Sequence, residues 1–172
     1  MSHLLQPWAS RELAFGRPAE EMPVLLERLL GTPNRLSGLL RDVPPERVQL
    51  RLQGKWSVLE HIGHLLVMQD RMRVRVEDWQ SLSDRLTPID LADQGPYVEA
   101  TRQRDLGDVL EEFRLTRNAF VRSVSQLPRP VLGHFALHPC LERRMRPMDM
   151  CLYLAEHDDH HLATVRRIVQ AS

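Results

Sequence analysis

The chain has 172 residues, 42 % of them hydrophobic and 27 % charged, the balance of a globular protein large enough to bury a core of its own. Its 23 basic and 23 acidic residues cancel to a formal net charge of zero, which argues against a dedicated nucleic-acid binder, since such proteins carry a strong basic excess. The simplest expectation is one domain over residues 1–172.

Four segments carry a helical period and none carries a strand alternation. The first is predicted from Glu20 to Asp42, where Leu25, Leu26, Leu29, Leu36, Leu39 and Leu40 recur at helical spacing. A break is expected at Thr32-Pro33, and Pro44-Pro45 ends the segment. The second is predicted from Ser57 to Ser81. Ser57-Val58-Leu59-Glu60 fits a capping box, in which Ser and Glu satisfy each other's free backbone N–H groups. Val58, Ile62, Leu65, Met72, Val76 and Trp79 then form one apolar stripe. Arg71, Arg73 and Arg75 in this segment, like Arg143, Arg144 and Arg146 further on, are interleaved with apolar and acidic residues and read as solvated helix face or loop.

A long connection from Ser83 to Arg104, punctuated by Pro88, Gly95 and Pro96, has the length of a segment that lines or covers a site. Its Arg102 and Arg104 read as exposed loop residues. The third helix is predicted from Asp105 to Leu127, stopped by Pro128 and Pro130. A loop with His134, His138, Pro139 and Cys140 follows, and both of its histidines read as surface residues. The fourth helix starts near Pro147, a good first-turn residue, and runs to Gln170. Cys140 and Cys151 lack the CxxC spacing of a zinc ribbon or redox pair, and Cys151 falls in the apolar pattern of the last helix as an inert core thiol. No charged-then-apolar leader opens the chain, and no apolar run approaches the ~20 residues of a membrane span, so the expectation is a cytoplasmic protein. Four such helices with a long crossover between the second and third predict an all-α four-helix bundle, a fold that builds metal and cofactor sites from side chains on facing helices.

The run Glu156-His157-Asp158-Asp159-His160-His161 stands out in the last helix. His157 and His161 are four residues apart, hence one turn apart on one face, and at about 100° per residue they fall within the stripe of Met150, Leu154, Val165 and Ile168. Asp158 and Asp159 fall toward the flank or the opposite side, and His160 on the other flank. Two imidazoles in an apolar stripe must each find a partner, because a buried polar group left unpaired costs about 1–3 kcal/mol. A shared metal ion satisfies both at once. There is no HExxH, so a zincin-type protease is excluded. On the second helix His61 lies nearer the stripe centre than His64, and the wheel leaves the choice between them open, with a slight preference for His61. His3 sits near the terminus, where order is least expected.

The segments Gly54-Lys55-Trp56-Ser57-Val58-Leu59-Glu60-His61-Ile62-Gly63-His64-Leu65 and Ala155-Glu156-His157-Asp158-Asp159-His160-His161-Leu162 together resemble the DinB-like (DinB/YfiT-like metalloenzyme) superfamily. Phe15, Pro23, the Leu-Glu-Arg-Leu run at 26–29 and Gly31-Thr32-Pro33-Asn34-Arg35-Leu36 extend the resemblance over nearly the whole chain. The resemblance implies a four-helix bundle holding a divalent metal ion on three histidines. One of them stands eight residues after Trp56, which is His64, and the other two are His157 and His161. It therefore selects His64 where the wheel leans to His61. It also implies homodimers and, among relatives, hydrolases, low-molecular-weight-thiol S-transferases and a thiol-dependent isomerase.

Three neutral nitrogen ligands leave coordination positions open, as in catalytic sites, and imidazole suits Zn²⁺, Ni²⁺ and Fe²⁺ alike. The expected function is a metal-dependent hydrolase or thiol transferase acting on a small-molecule substrate, a thiol among the options, with a non-catalytic metal-binding stress-related bundle as the alternative. Neither nucleic acid nor membrane is an expected partner. No general base is assigned: Asp158 reads as a surface charge, Glu60 as a cap, and His160 as a residue behind the ligands.

Overall fold

The computed structural model describes residues 5–90 and 92–171, apart from the side chain of Ala9; His3 lies outside the described residues. Short 3₁₀ turns at Trp8–Ser10 and Ala19–Glu21 lead into α1 (Met22–Leu40). Then follow α2 (Pro45–Gln49), α3 (Val58–Gln80), α4 (Gly95–Thr101), α5 (Leu106–Ser125), α6 (Arg129–Gly133), the strands β1 (Ala136–His138) and β2 (Arg143–Met145), and α7 (Pro147–Gln170). The long helices α1, α3, α5 and α7 form the bundle: α1 packs on α5 and α7, and α3 on α5 and α7, with α4 laid against α3. The all-α four-helix bundle and its long crossover are as the helical periods predict.

The helix ends follow local chemistry. The Ser57–Glu60 capping box forms, with Ser57 N–H donating to Glu60 Oε2 at 2.8 Å and Glu60 N–H to Ser57 Oγ at 3.3 Å. Asp105 caps α5, accepting from the N–H groups of Gly107 (2.8 Å) and Asp108 (3.2 Å). Pro147 opens α7, and the Asp149 carboxylate accepts from Arg146 N–H at 3.0 Å and, across the fold, from Gly16 N–H at 2.7 Å.

Sequence expectation fails where the environment is tertiary. The expected break at Thr32-Pro33 is absent, because α1 continues through Pro33. A proline removes its own N–H and so strands the carbonyl four residues back. Here that carbonyl, Leu29 O, accepts from the buried Arg117 guanidinium at 3.3 Å, which supplies the missing donor. The segment expected as a loop contains the antiparallel pair β1–β2, with Ala136 opposite Met145 and His138 opposite Arg143. Strands of three residues are too short to show an alternation. His138 is buried rather than on the surface: its Nδ1 accepts from the N–H groups of Cys140 and Leu141, both at 3.2 Å, and so holds the hairpin turn. His134 is half-buried, bonded to Ser83 O at 2.8 Å. The crossover is not wholly irregular, since α4 lies within it. Arg75 also departs from the solvated-face reading: it is 1 % exposed and spans Thr87 O and Met150 Sδ. Arg71 and Arg73 do face solvent and pair with Asp93 and Glu77.

The core is split in two. One cluster gathers Leu25, Leu29, Met72, Trp79, Phe120 and Leu154, and Cys151 packs with it as an inert thiol, pushed up by burial to about 12. The other gathers Leu36, Leu59, Ile62, Leu65, Phe113 and Val165. Between them along α1, α5 and α7 lies a buried polar layer. Arg117 pairs with both carboxylate oxygens of Asp158 and with Gln69, and the Thr32 hydroxyl donates to Asp158 at 2.9 Å. Asp158 and Arg117 are both fully buried, so the reading of Asp158 as a surface charge is corrected. Because α7 has neighbours on more than one side, a residue off its apolar stripe still faces protein. Among the described residues no helix is long and apolar enough to cross a membrane.

Candidate metal centre

The Glu156–His161 run distributes its side chains by helical geometry. Glu156 and Asp159 turn toward α1, where Arg28 bridges them at 2.8 and 2.6 Å and Arg35 adds a bond to Asp159 at 2.7 Å. Asp158 points into the bundle to Arg117. These ion pairs fix the rotation of α7 about its axis, and His157 and His161 consequently face α3. There they meet His64, one ring nitrogen of each lying within 4.8 Å of the others. His64 Nε2 stands 3.1 Å from His157 Nε2, near the edge of about 3.3 Å between two nitrogens each about 2.0–2.1 Å from one tetrahedral zinc ion. The centroid of the His161 ring is 4.5 Å from that of His157 and 4.8 Å from that of His64. All three rings are buried.

His61, on the preceding turn of α3, is buried beside them and sets its Nδ1 2.9 Å from Nδ1 of His161. It thus backs one member of the cluster while His64 belongs to it. The wheel alone leans the other way because the facing helix, not the stripe, decides which flank of α3 meets both histidines of α7. Behind His64, Nδ1 lies 2.6 Å from Oε1 of Gln94, the N-cap residue just before α4. Gln94 is a residue that sequence reasoning missed: it lies 30 positions from its partner, and only the unusual length of the crossover hinted that the segment approaches a site. Two indoles close the cluster. Trp56 stands beside His64 and His61, tilted to the first and edge-on to the second at centroid distances of 5.1 and 5.7 Å, and Trp8 is edge-on to His157 at 5.1 Å. His160 is half-buried between Trp8 and His161.

Burial holds the rings neutral. Desolvation first, then the neighbouring His64 and His160, lower His157 to about 3; the same causes lower His61 to about 4. His161 falls well below its ordinary value through desolvation and then His157, His64 and His61. His64 is lowered by desolvation and partly restored by its bond to Gln94. Neutral imidazoles keep a lone pair available, which is the state a metal ligand requires. The buried Nδ1 of His157 has no hydrogen-bond partner among the described residues, so the cluster is not a self-satisfied polar network. Three clustered imidazoles that burial holds neutral, with one ring nitrogen of His157 left unpartnered, fit a divalent ion.

The other residues weighed for a role stand apart. Glu60 is the α3 cap; burial would raise its carboxyl, but the Arg51 guanidinium and Ser57 bring it down to about 2. Arg102 and Arg104 are ion-paired to Glu99 and Glu112. Cys140 is exposed.

No curated protein matches the chain. Among solved structures it is similar to YfiT from Bacillus subtilis, described as "a probable metal-dependent hydrolase with an unusual four-helix bundle topology". The TM-score is 0.78 at 13 % identity, over 92 % of this chain and 91 % of that one, so the two share a fold. The family model of the DinB superfamily matches residues 28–165, from the Arg28 that steadies α7 to beyond His161, and the chain belongs to that superfamily.

Proposed function

We propose that His64, His157 and His161 hold one divalent metal ion and that the protein is a metal-dependent hydrolase of a small-molecule substrate. The observation that carries this reading is the convergence of three buried, neutral imidazoles without a carboxylate or thiolate among them. Such a set contributes no charge, so the ion keeps its full positive charge and open coordination positions. A divalent ion held by His64, His157 and His161 would supply Lewis acidity, which brings the pKa of water from 15.7 to about 7. The chain's own part is to bind and orient: His61 and Gln94 steady the rings from behind, while Trp8 and Trp56 exclude bulk water. The likeness of fold to YfiT supports hydrolysis. The uncompensated positive charge also favours a second reading, transfer of a low-molecular-weight thiol, since a thiolate is the other anion such a site stabilises.

Untagged protein, purified without a nickel column, tests the reading by elemental analysis. Stoichiometric zinc, nickel or iron is expected. His161→Ala is expected to abolish it while the helical far-UV signal persists, and unchanged metal content would remove His161 from the centre. Ester, amide and thiol-conjugation panels then separate the chemistries. Activity lost with His161→Ala supports catalysis, whereas metal without any activity would leave the non-catalytic bundle.

A further inference from the structure

The geometry points to Gln94 as the residue that fixes the tautomer of His64, and so decides which of its nitrogens is offered to the metal. This rests on the metal-centre reading above. An imidazole has two nitrogens, and when neutral one carries the proton and the other the lone pair. Left alone, His64 could present either. The cluster needs the lone pair on Nε2, the nitrogen 3.1 Å from His157. The opposite nitrogen, Nδ1, is held 2.6 Å from Oε1 of Gln94. A carbonyl oxygen only accepts, so Nδ1 must carry the proton and donate it, and Nε2 is left bare. The same bond fixes the rotation of the ring, because Gln94 is anchored at the start of α4 rather than on α3 itself.

The anchoring is tight. A methyl group on Gly63, the residue before His64, would stand 2.8 Å from Thr101 Oγ1 and 2.9 Å from its Cβ, so α4 lies against α3 with no room between them at that point. Thr101 is itself buried and bonds back to Tyr97 O at 2.8 Å, which stiffens the end of α4. The crossover therefore does more than connect α3 to α5. It delivers an acceptor to the outer side of a ligand that α3 alone leaves free to choose. Outer-sphere partners of this kind change metal affinity by about 10–100-fold when removed.

The test needs two readouts. In metal-free, ¹⁵N-labelled protein, long-range ¹H–¹⁵N correlation reports which nitrogen of each histidine ring is protonated. His64 is expected in the Nδ1–H form. Zn²⁺ affinity is measured in competition with a chromophoric chelator. Gln94→Leu, which removes the acceptor, is expected to mix the two tautomers of His64 and to weaken Zn²⁺ binding by about 10–100-fold. Gln94→Glu, which restores an acceptor, is expected to return His64 to Nδ1–H and to recover the affinity. A wild-type His64 protonated on Nε2 would mean that the Gln94 amide group faces the ring with its NH₂ and would overturn the inference, as would Gln94→Leu binding Zn²⁺ as tightly as wild type. The wild-type spectrum decides the matter even if a variant fails to fold. Wild-type protein that shows the expected tautomer but binds no Zn²⁺ would refute the metal-centre reading and leave the tautomer assignment standing.

Discussion

His61 and His64 are three residues apart on one helix, chemically identical, and both buried, yet they are not equivalent. His64 joins His157 and His161 in the cluster, whereas His61 touches His161 through Nδ1 from behind. His61→Ala is therefore expected to retain stoichiometric metal, with affinity weakened by no more than about 10–100-fold, as for other partners of metal ligands. Elemental analysis followed by chelator competition checks this, and complete loss of metal would exchange the roles of the two residues. At this scale the HxxxH pair on α7 was legible, because residues four apart share a helix face whatever surrounds them. Asp158 was not, since nothing local announces that a guanidinium from α5 waits for it. Leaving either member of that pair alone would strand a charge in the core, which is why the turn carrying His157 is held firmly.

The elements divide in the same way. The starts of α3, α5 and α7 follow from cap residues within a few positions of each end, and these were readable. The continuity of α1 through Pro33 was not, because a distant residue, Arg117, completes it, and the hairpin β1–β2 was not, because strands of three residues are too short to show an alternation. The contact between α3 and α4 offers a direct test of the crossover. Gly63→Ala would force Cβ against buried Thr101, an overpacking that costs about 1–3 kcal/mol. The expected result is a lower melting temperature together with weaker Zn²⁺ binding, since moving α4 carries Gln94 away from His64. A variant with wild-type melting temperature and affinity would show that α4 does not set the position of the ring.

For the molecule as a whole, the buried histidines are a liability at low pH. Their folded-state values lie below the ordinary 6.5, about 4 for His61 and about 3 for His157. The unfolded chain therefore binds more protons, and stability falls as pH drops below about 6.5, continuing until the folded values are reached. By about pH 5 the loss is on the order of 2 kcal/mol for each of these two rings. Glu60, held down at about 2, does not contribute in that window, because its own stabilisation is lost only below the ordinary 4.5 of its unfolded state. The urea midpoint of metal-free protein is expected to fall between about pH 7.5 and about pH 5, and the zinc-loaded protein to lose its extra stability over the same range as protons compete for the ligands. An unchanged midpoint would show that the rings are not buried in neutral form. The sequence by itself determined the four long helices, the capping box that opens α3 and the face shared by His157 and His161, because capping and periodicity act over a few residues. Only the tertiary structure decided that His64 rather than His61 meets that pair, that Asp158 lies in the core and that Gln94 stands behind His64. Those outcomes depend on which helix lies opposite, and no local pattern encodes the identity of a neighbour that the chain reaches only by folding.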